Sequence, residues 1–191
     1  MQPLSEQIVQ AAVKLFAGRG FHGTSMRAIA HAAGVSIGAI YHHFPSKDDV
    51  FLAILREEYE RRRVAIEELK AQGLPPRDMV RRVAKLHFEL LHRRRDSVRL
   101  LSQTLPREHP RLRGQLEALE EEFAGHVARL LEEGMEAGQV RKCDAWTAAY
   151  ALLGMAKAVT ARALGGDKKA EELRCRGPEE LAELAWRALR P

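Results

Sequence analysis

Apolar residues recur at intervals of three and four along almost the whole chain, and nowhere do they alternate one by one. That spacing is the mark of amphipathic helices rather than strands. Ile8, Ala11, Ala12, Leu15 and Phe16 form a first stripe, stopped by Gly18 and Gly20. Thr24 or Ser25 is placed to cap a second helix that buries Ile29, Ala30 and Ala33 and ends at Gly34. Ser36 caps a third, short helix to about His43, which Pro45 breaks. Ser46, with Asp49 three residues on, resembles a capping box and opens a long helix to about Ala71. After a loop at Gly73, Pro75 and Pro76, helices are expected over residues 77–95, 97–104, 112–138 and 144–164, with a break between Pro106 and Pro110. Residues 165–177 read as a polar loop, and Pro178 suits the first turn of a last helix ending near Leu189. The expected fold is all-α, with three short helices in residues 1–47 handing over to long ones in 48–191.

Composition narrows the class. Of 191 residues, 46% are hydrophobic and 30% charged, enough for a buried core on a soluble chain. No apolar run approaches the roughly 18 residues of a membrane span, and the N-terminus lacks the layout of a signal peptide. A cytoplasmic location and no membrane partner are the expectation. The net charge of +5 suits a polyanion, but its distribution does not locate one. Residues 1–50 carry four Lys/Arg against three Asp/Glu, whereas residues 51–100 carry thirteen against eight. Runs such as Arg61–Arg63 and Arg93–Arg95 read first as solvated helix faces.

Three short helices with a tight glycine turn between the second and third follow the helix-turn-helix plan. In the turn Ala33-Gly34-Val35-Ser36, Gly34 supplies a left-handed backbone, Val35 a core plug and Ser36 the next cap. At 100° per residue, Ile40 and Phe44 define the inner face of the third helix, flanked by Ile37 and His43. Gly38, Ala39, Tyr41 and His42 point outward. A groove about 12 Å wide favours small residues at closest approach, which Gly38 and Ala39 provide. Tyr41 and His42 offer hydrogen bonds to phosphates or base edges.

Residues 12–47 resemble the DNA-binding domain of the TetR family of transcriptional regulators. The resemblance is carried by Leu15-Phe16, Gly20, Thr24-Ser25, Ile29-Ala30, Ala33-Gly34-Val35-Ser36, Gly38, Tyr41, Phe44 and Ser46-Lys47, without a gap. It implies that the third helix enters the major groove, with Ser36, Ile37, Gly38, Ala39, Tyr41 and His42 at the DNA. It implies that Tyr41 and Lys47 grip phosphates, and that Thr24, Ser25 and Arg27 reach the backbone or a base edge. Ile37, where many relatives carry a polar or basic residue, either touches a thymine methyl or packs inward. His43 reads as an inward neighbour.

The resemblance further implies an effector pocket and a dimer interface in residues 48–191. The expected partners are a roughly palindromic DNA duplex, a second copy of the chain and a small apolar or amphipathic effector. Phe88, Leu91, Leu101, Phe123, Met135, Trp146, Tyr150 and Met155 are candidate apolar walls, each read more readily as core. The Arg excess in 51–100 admits an anionic headgroup such as an acyl thioester. The Ala-rich stretch 144–164 fits a dimer bundle or an internal core helix. The competing reading is a DNA-binding relative that answers to a protein or to no effector.

No enzyme, cofactor or metal is expected. His87 and His92 are five residues apart, whereas two ligands on one helix face need four. There is no phosphate loop and no nucleophile elbow. Cys143 and Cys175 lack metal spacing, and in a reducing cytosol they are free thiols. The alternative, a taut intrachain disulfide, requires an extended return over residues 165–174. The absence of Asn from an Arg-rich chain, a thermophile trait or one of a GC-rich genome, keeps that alternative open.

Overall fold

The computed structural model describes residues 3–102 and 110–191, the side chains of residues 92, 101, 102, 110 and 111 excepted. Helices α1 (Leu4–Arg19), α2 (Met26–Ala33), α3 (Ile37–His43), α4 (Lys47–Ala71) and α5 (Pro76–Arg93) are followed by α6 (Arg95–Ser102), α7 (Pro110–Glu136), α8 (Ala145–Ala163) and α9 (Lys168–Leu189). Among the described residues there is no strand. The break expected between Pro106 and Pro110, and the end of the helix expected over 97–104, lie outside them.

The chain forms two compact units, residues 1–59 with 96–116 and residues 60–95 with 117–191. The first is centred on aromatic packing. Phe16 and Phe21 stack at 5.6 Å, and Phe51 meets each edge-on at 5.4 Å. Ile8, Ile29, Ile40 and Val50 are fully enclosed around them. Each such side chain contributes roughly 1.5–3 kcal/mol of burial, so this core is the main support of α2 and α3, which at eight and seven residues are below the length that is stable alone.

In the second unit, α5 packs on α9 and α8 on α9. A cluster of Ala128, Leu131, Ala145, Ala149 and Leu189 ties α7, α8 and the end of α9 together. Asp144 caps α8 by accepting from the Thr147 N–H at 2.7 Å, which sets the helix phase so that Ala145 and Ala149 face the core. Close approach of α5 and α9 needs Gly177, where a Cβ would lie 2.6 Å from the Phe88 ring.

Two expectations are corrected here. Residues 168–177 are helix, not loop: Asp167 accepts the Ala170 N–H at 2.9 Å and starts α9 ten residues before Pro178. Pro178 therefore lies inside the helix, where it removes one donor that would have reached the Arg174 carbonyl. The apolar contacts of Ala170, Gly177, Leu181, Ala182 and Ala185 on that helix outweigh the lost bond. The disulfide alternative falls with the same correction, and Cys143 and Cys175 are both free. A helical return advances only about 1.5 Å per residue, too little to retrace α8. Arg174, next to Cys175, still bonds the Ala163 and Gly165 carbonyls at the far end of α8 from Cys143.

Candidate nucleic-acid interface

The turn between α2 and α3 is built by its own backbone chemistry. Gly34 takes φ 68 and ψ 29, a left-handed conformation that glycine adopts without strain, and its N–H turns back to the Ala30 and His31 carbonyls. The Val35 N–H also reaches the Ala30 carbonyl, at 3.0 Å. Ser36 then caps α3, its hydroxyl oxygen accepting the Ala39 N–H at 3.1 Å. Ser25 caps α2 in the same way through the Ala28 N–H at 3.2 Å. Of the two expected caps for α2, Ser25 is therefore the one used.

On α3, Ile40 is 0% exposed and holds the helix to the core, while Ile37 and Tyr41 are 45% and 51% exposed. Gly38 and His42 are exposed as well, and Ala39 is half-buried. Ser25, Arg27 and Ser36 are exposed beside them. The structure thus presents one outward row, Ile37, Gly38, Tyr41 and His42, with Ser25 and Arg27 at the start of α2. Ile37 and His43 do not pack inward: both are exposed. A seven-residue helix anchored by one fully enclosed side chain leaves positions 60° to either side of it in solvent. His43 is the site candidate that sequence reasoning missed, and the brevity of the helix was the signal.

Two expected contacts are placed differently. Thr24 is only 2% exposed and its hydroxyl donates to the Gly20 carbonyl at 2.9 Å. Its side chain secures the turn before α2. Lys47 is half-buried: its ammonium donates to the Phe21 carbonyl at 2.7 Å and sits 4.4 Å above the Phe21 ring. Burial lowers its pKa from the ordinary lysine value, and Asp48 beside it acts in the opposite sense. Lys47 therefore ties the start of α4 to the α1–α2 turn. Ser46 supports the same start by donating to the Asp49 carboxylate at 2.6 Å and accepting the Asp49 N–H at 3.2 Å.

The effector candidates do not share one setting. Phe88, Leu91 and Phe123 are buried, and Phe88 fills the α5–α9 contact against Gly177. Met135 is half-buried beside the α7–α8 cluster, where its sulfur accepts the Cys143 N–H at 3.3 Å. Met155 is half-buried on α8. Trp146 and Tyr150 are 42% and 51% exposed, one position around α8 from buried Ala145 and Ala149, so they do not wall an interior cavity. Leu101 lies outside the described side chains. The second unit also encloses a polar group that the sequence did not advertise. The His87 Nε2 is hydrogen-bonded to the Thr160 hydroxyl, and burial, with Arg62 nearby, pushes its pKa down to about 4. Among the described residues no group of His, Cys, Asp and Glu could hold a metal ion, and no helix is long and apolar enough to cross a membrane.

Comparison with known proteins agrees with this geometry. Residues 8–54 match the family described as bacterial regulatory proteins, tetR family. Residues 73–161 match the tetracyclin repressor-like C-terminal domain, and the two together cover more than two thirds of the chain. The chain is 28% identical over 140 residues to the HTH-type transcriptional regulator UidR of Escherichia coli strain K12, covering 73% of this chain and 70% of that one. It is 32% identical over 108 residues to the HTH-type transcriptional regulator YuxN of Bacillus subtilis, 56% of this chain but only 37% of that protein's length. Its fold is shared with the transcriptional regulator FadR from Bacillus subtilis, solved in complex with stearoyl-CoA: the TM-score is 0.83 at 21% identity, over 96% of this chain and 98% of that one. With a capped helix-turn-helix, an exposed third helix and both family domains in order, this chain belongs to the TetR family of helix-turn-helix transcriptional regulators.

Proposed function

We propose that this protein is a cytoplasmic repressor that binds a roughly two-fold-symmetric duplex site as a homodimer and is released by a small amphipathic effector. The observation that carries the reading is the α3 row: Ile40 wholly enclosed, with Ile37, Gly38, Tyr41 and His42 in solvent. One seven-residue helix reaches only a few base pairs, so specificity calls for two copies. In this reading residues 1–47 read DNA, and residues 48–191 hold the effector site and the dimer interface. Ile37 meets a thymine methyl, Tyr41 and His42 bond phosphates or base edges, and Ser25, Ser36 and Arg27 contact the backbone. Gly38 and Ala39 allow close approach. Lys47 keeps N–H donors beyond the one given to Phe21 and directs them to a phosphate.

The effector is read as an apolar body with an anionic head, such as an acyl thioester of coenzyme A. Support comes from the Arg-rich stretch 51–100 and from the fold shared with a regulator solved with stearoyl-CoA. α4 continues the chain from the reader into the second unit, so a ligand that favours one position of α4 changes DNA affinity. Coupling of about 1–3 kcal/mol corresponds to roughly 5- to 150-fold weaker DNA binding. The test uses full-length protein and a duplex selected from a random pool. A footprint of two related half-sites is expected, with release by palmitoyl-CoA and not by coenzyme A alone. An asymmetric footprint from a monomer refutes the dimeric reading. Tight binding of palmitoyl-CoA without any change in duplex affinity refutes the release mechanism.

A further inference from the structure

Four of the chain's eight histidines, His22, His31, His42 and His43, lie in its first fifty residues, and all four are exposed. The fixed charges of that stretch nearly cancel: Lys14, Arg19, Arg27 and Lys47 stand against Glu6, Asp48 and Asp49. α3 itself, Ile-Gly-Ala-Ile-Tyr-His-His, contains no Lys, Arg, Asp or Glu. Its charge therefore depends on two imidazoles alone. Their rings meet edge to face, with centroids 5.5 Å apart. Both occupy the last turn of the helix, whose dipole end is negative and favours a cation.

The fixed cations of the neighbouring elements, Arg27 and Lys47, keep their charge across the neutral range and add no pH dependence there. α2, which packs against α3, brings Arg27 and His31. α3 adds the phenol of Tyr41, and the first turn of α4 adds Lys47, Asp48 and Asp49. Lys47 is engaged with the Phe21 carbonyl and lies in the field of Asp48. Asp49 is occupied by the Ser46 hydroxyl. A duplex, by contrast, presents one negative charge per roughly 1.7 Å of axis. Docked against that field, an imidazole that takes up a proton gains a charge-assisted bond and a second N–H donor.

We propose that His42 and His43 are the protonatable cations of the DNA reader, so that duplex binding takes up protons and tightens as pH falls through the imidazole range. The proposal rests on α3 being the helix that meets DNA. Because imidazole is the side chain that changes charge near neutral pH, the coupling makes operator occupancy sensitive to small changes in intracellular pH.

The experiment uses full-length protein and one duplex, selected from a random pool at about pH 7, with anisotropy titrations at constant ionic strength from about pH 6 to 8. Wild type binds about tenfold or more tightly at the acid end. Its salt dependence is steeper there, by up to about 0.9 per imidazolium on a phosphate. His42→Gln with His43→Gln flattens the pH profile, whereas His42→Lys with His43→Lys binds well at every pH. His22→Gln with His31→Gln keeps the wild-type slope. Calorimetry of the wild type in buffers of different ionisation heat counts the protons directly, and decides the matter if the Gln pair binds no duplex at all. Equal affinity across the range, or no proton uptake by calorimetry, overturns the proposal, as does a slope that survives the Gln pair or vanishes with His22 and His31. Failure to recover any duplex refutes the DNA reading itself, a different outcome from a duplex bound without regard to pH.

Discussion

Acid should weaken the fold of this protein through one imidazole, His87. Its Nε2 is hydrogen-bonded to the hydroxyl of Thr160, which is 1% exposed. Burial is the main cause that lowers its pKa, the positive field of Arg62 adds to it, and a backbone bond to Ala156 opposes both. The sign follows from that direction. In the unfolded chain the ring takes a proton near pH 6.5, while in the fold it resists until about 4. The stabilisation is therefore complete above about pH 6.5 and is lost progressively as pH falls towards 4, because only the unfolded state binds the proton there. At about 1.36 kcal/mol per pH unit, the displacement from 6.5 to about 4 is worth roughly 3 kcal/mol. This is an upper figure, since the residue keeps some surface and solvent screens part of the effect. Against a typical total of about 5–15 kcal/mol, it is a measurable share. The assay is urea denaturation of wild type and His87→Gln at a series of pH values from about 7.5 to 4. Gln keeps a polar contact to Thr160 but cannot protonate. The variant should start less stable and lose less, so that the gap between the two proteins narrows as pH falls. Burial shifts His126 in the same direction, so the comparison, not the wild-type curve alone, isolates His87. Parallel pH profiles for the two proteins would refute the reasoning.

Other consequences are separable. Gly177→Ala places a Cβ about 2.6 Å from Phe88; the clash of about 1–3 kcal/mol should exceed the roughly 1 kcal/mol gained in helix propensity, and a thermal melt should show partial rescue by Phe88→Leu. Tyr41→Phe should weaken duplex binding by a similar factor for different sequences, because a phosphate contact carries no base information. Lys47→Ala should do more than weaken binding. By removing the ammonium bond to the Phe21 carbonyl, which then keeps the Thr24 N–H at 3.3 Å, it should also lower thermal stability by up to about 1 kcal/mol, and an unchanged melting curve would contradict the bond described. Trp146→Asp with Tyr150→Asp, at two exposed positions of α8, should shift sedimentation towards the monomer if this face joins the copies; an unaltered dimer places the interface elsewhere.

What could be read without coordinates depended on how local its cause was. Gly34, Ser36 and the Ser46–Asp49 pair act over three or four residues, and each does what its chemistry requires. The start of α4 was expected within one residue for the same reason. Errors arose where the deciding contact is distant in sequence. Residues 165–177 read as a loop because the stretch is polar, with Pro178 suited to the first turn of a helix after it. Residues 168–177 are helical, and there Gly177 meets Phe88, nearly ninety residues earlier, at a spacing that leaves no room for a Cβ. Periodicity places a side chain on a face but does not say whether another element covers that face.

The same division explains the candidate site. Tyr41 and His42 could be placed outside α3 from helix geometry alone, since Ile40 marks the inner line. Ile37 and His43 could not, because their exposure is decided by how little of so short a helix its neighbours cover. Thr24 and Ser25 are adjacent and chemically alike, and either can cap a helix. Only the Gly20 carbonyl, four residues back across a turn, assigns Thr24 inward and leaves Ser25 free to face outward. Lys47 shows the limit most clearly. A motif supplies the residue, but its ammonium is shared with a carbonyl 26 positions earlier. If Lys47 meets a phosphate as proposed, the strength of that grip is coupled to the stability of the turn that the carbonyl belongs to. A residue that serves both fold and ligand cannot be separated from sequence by pattern. It is separated by comparing a substitution that removes the charge with one that removes its internal partner's geometry. Here those are Lys47→Ala and Phe21→Leu: the first should reduce both stability and binding, the second mainly stability.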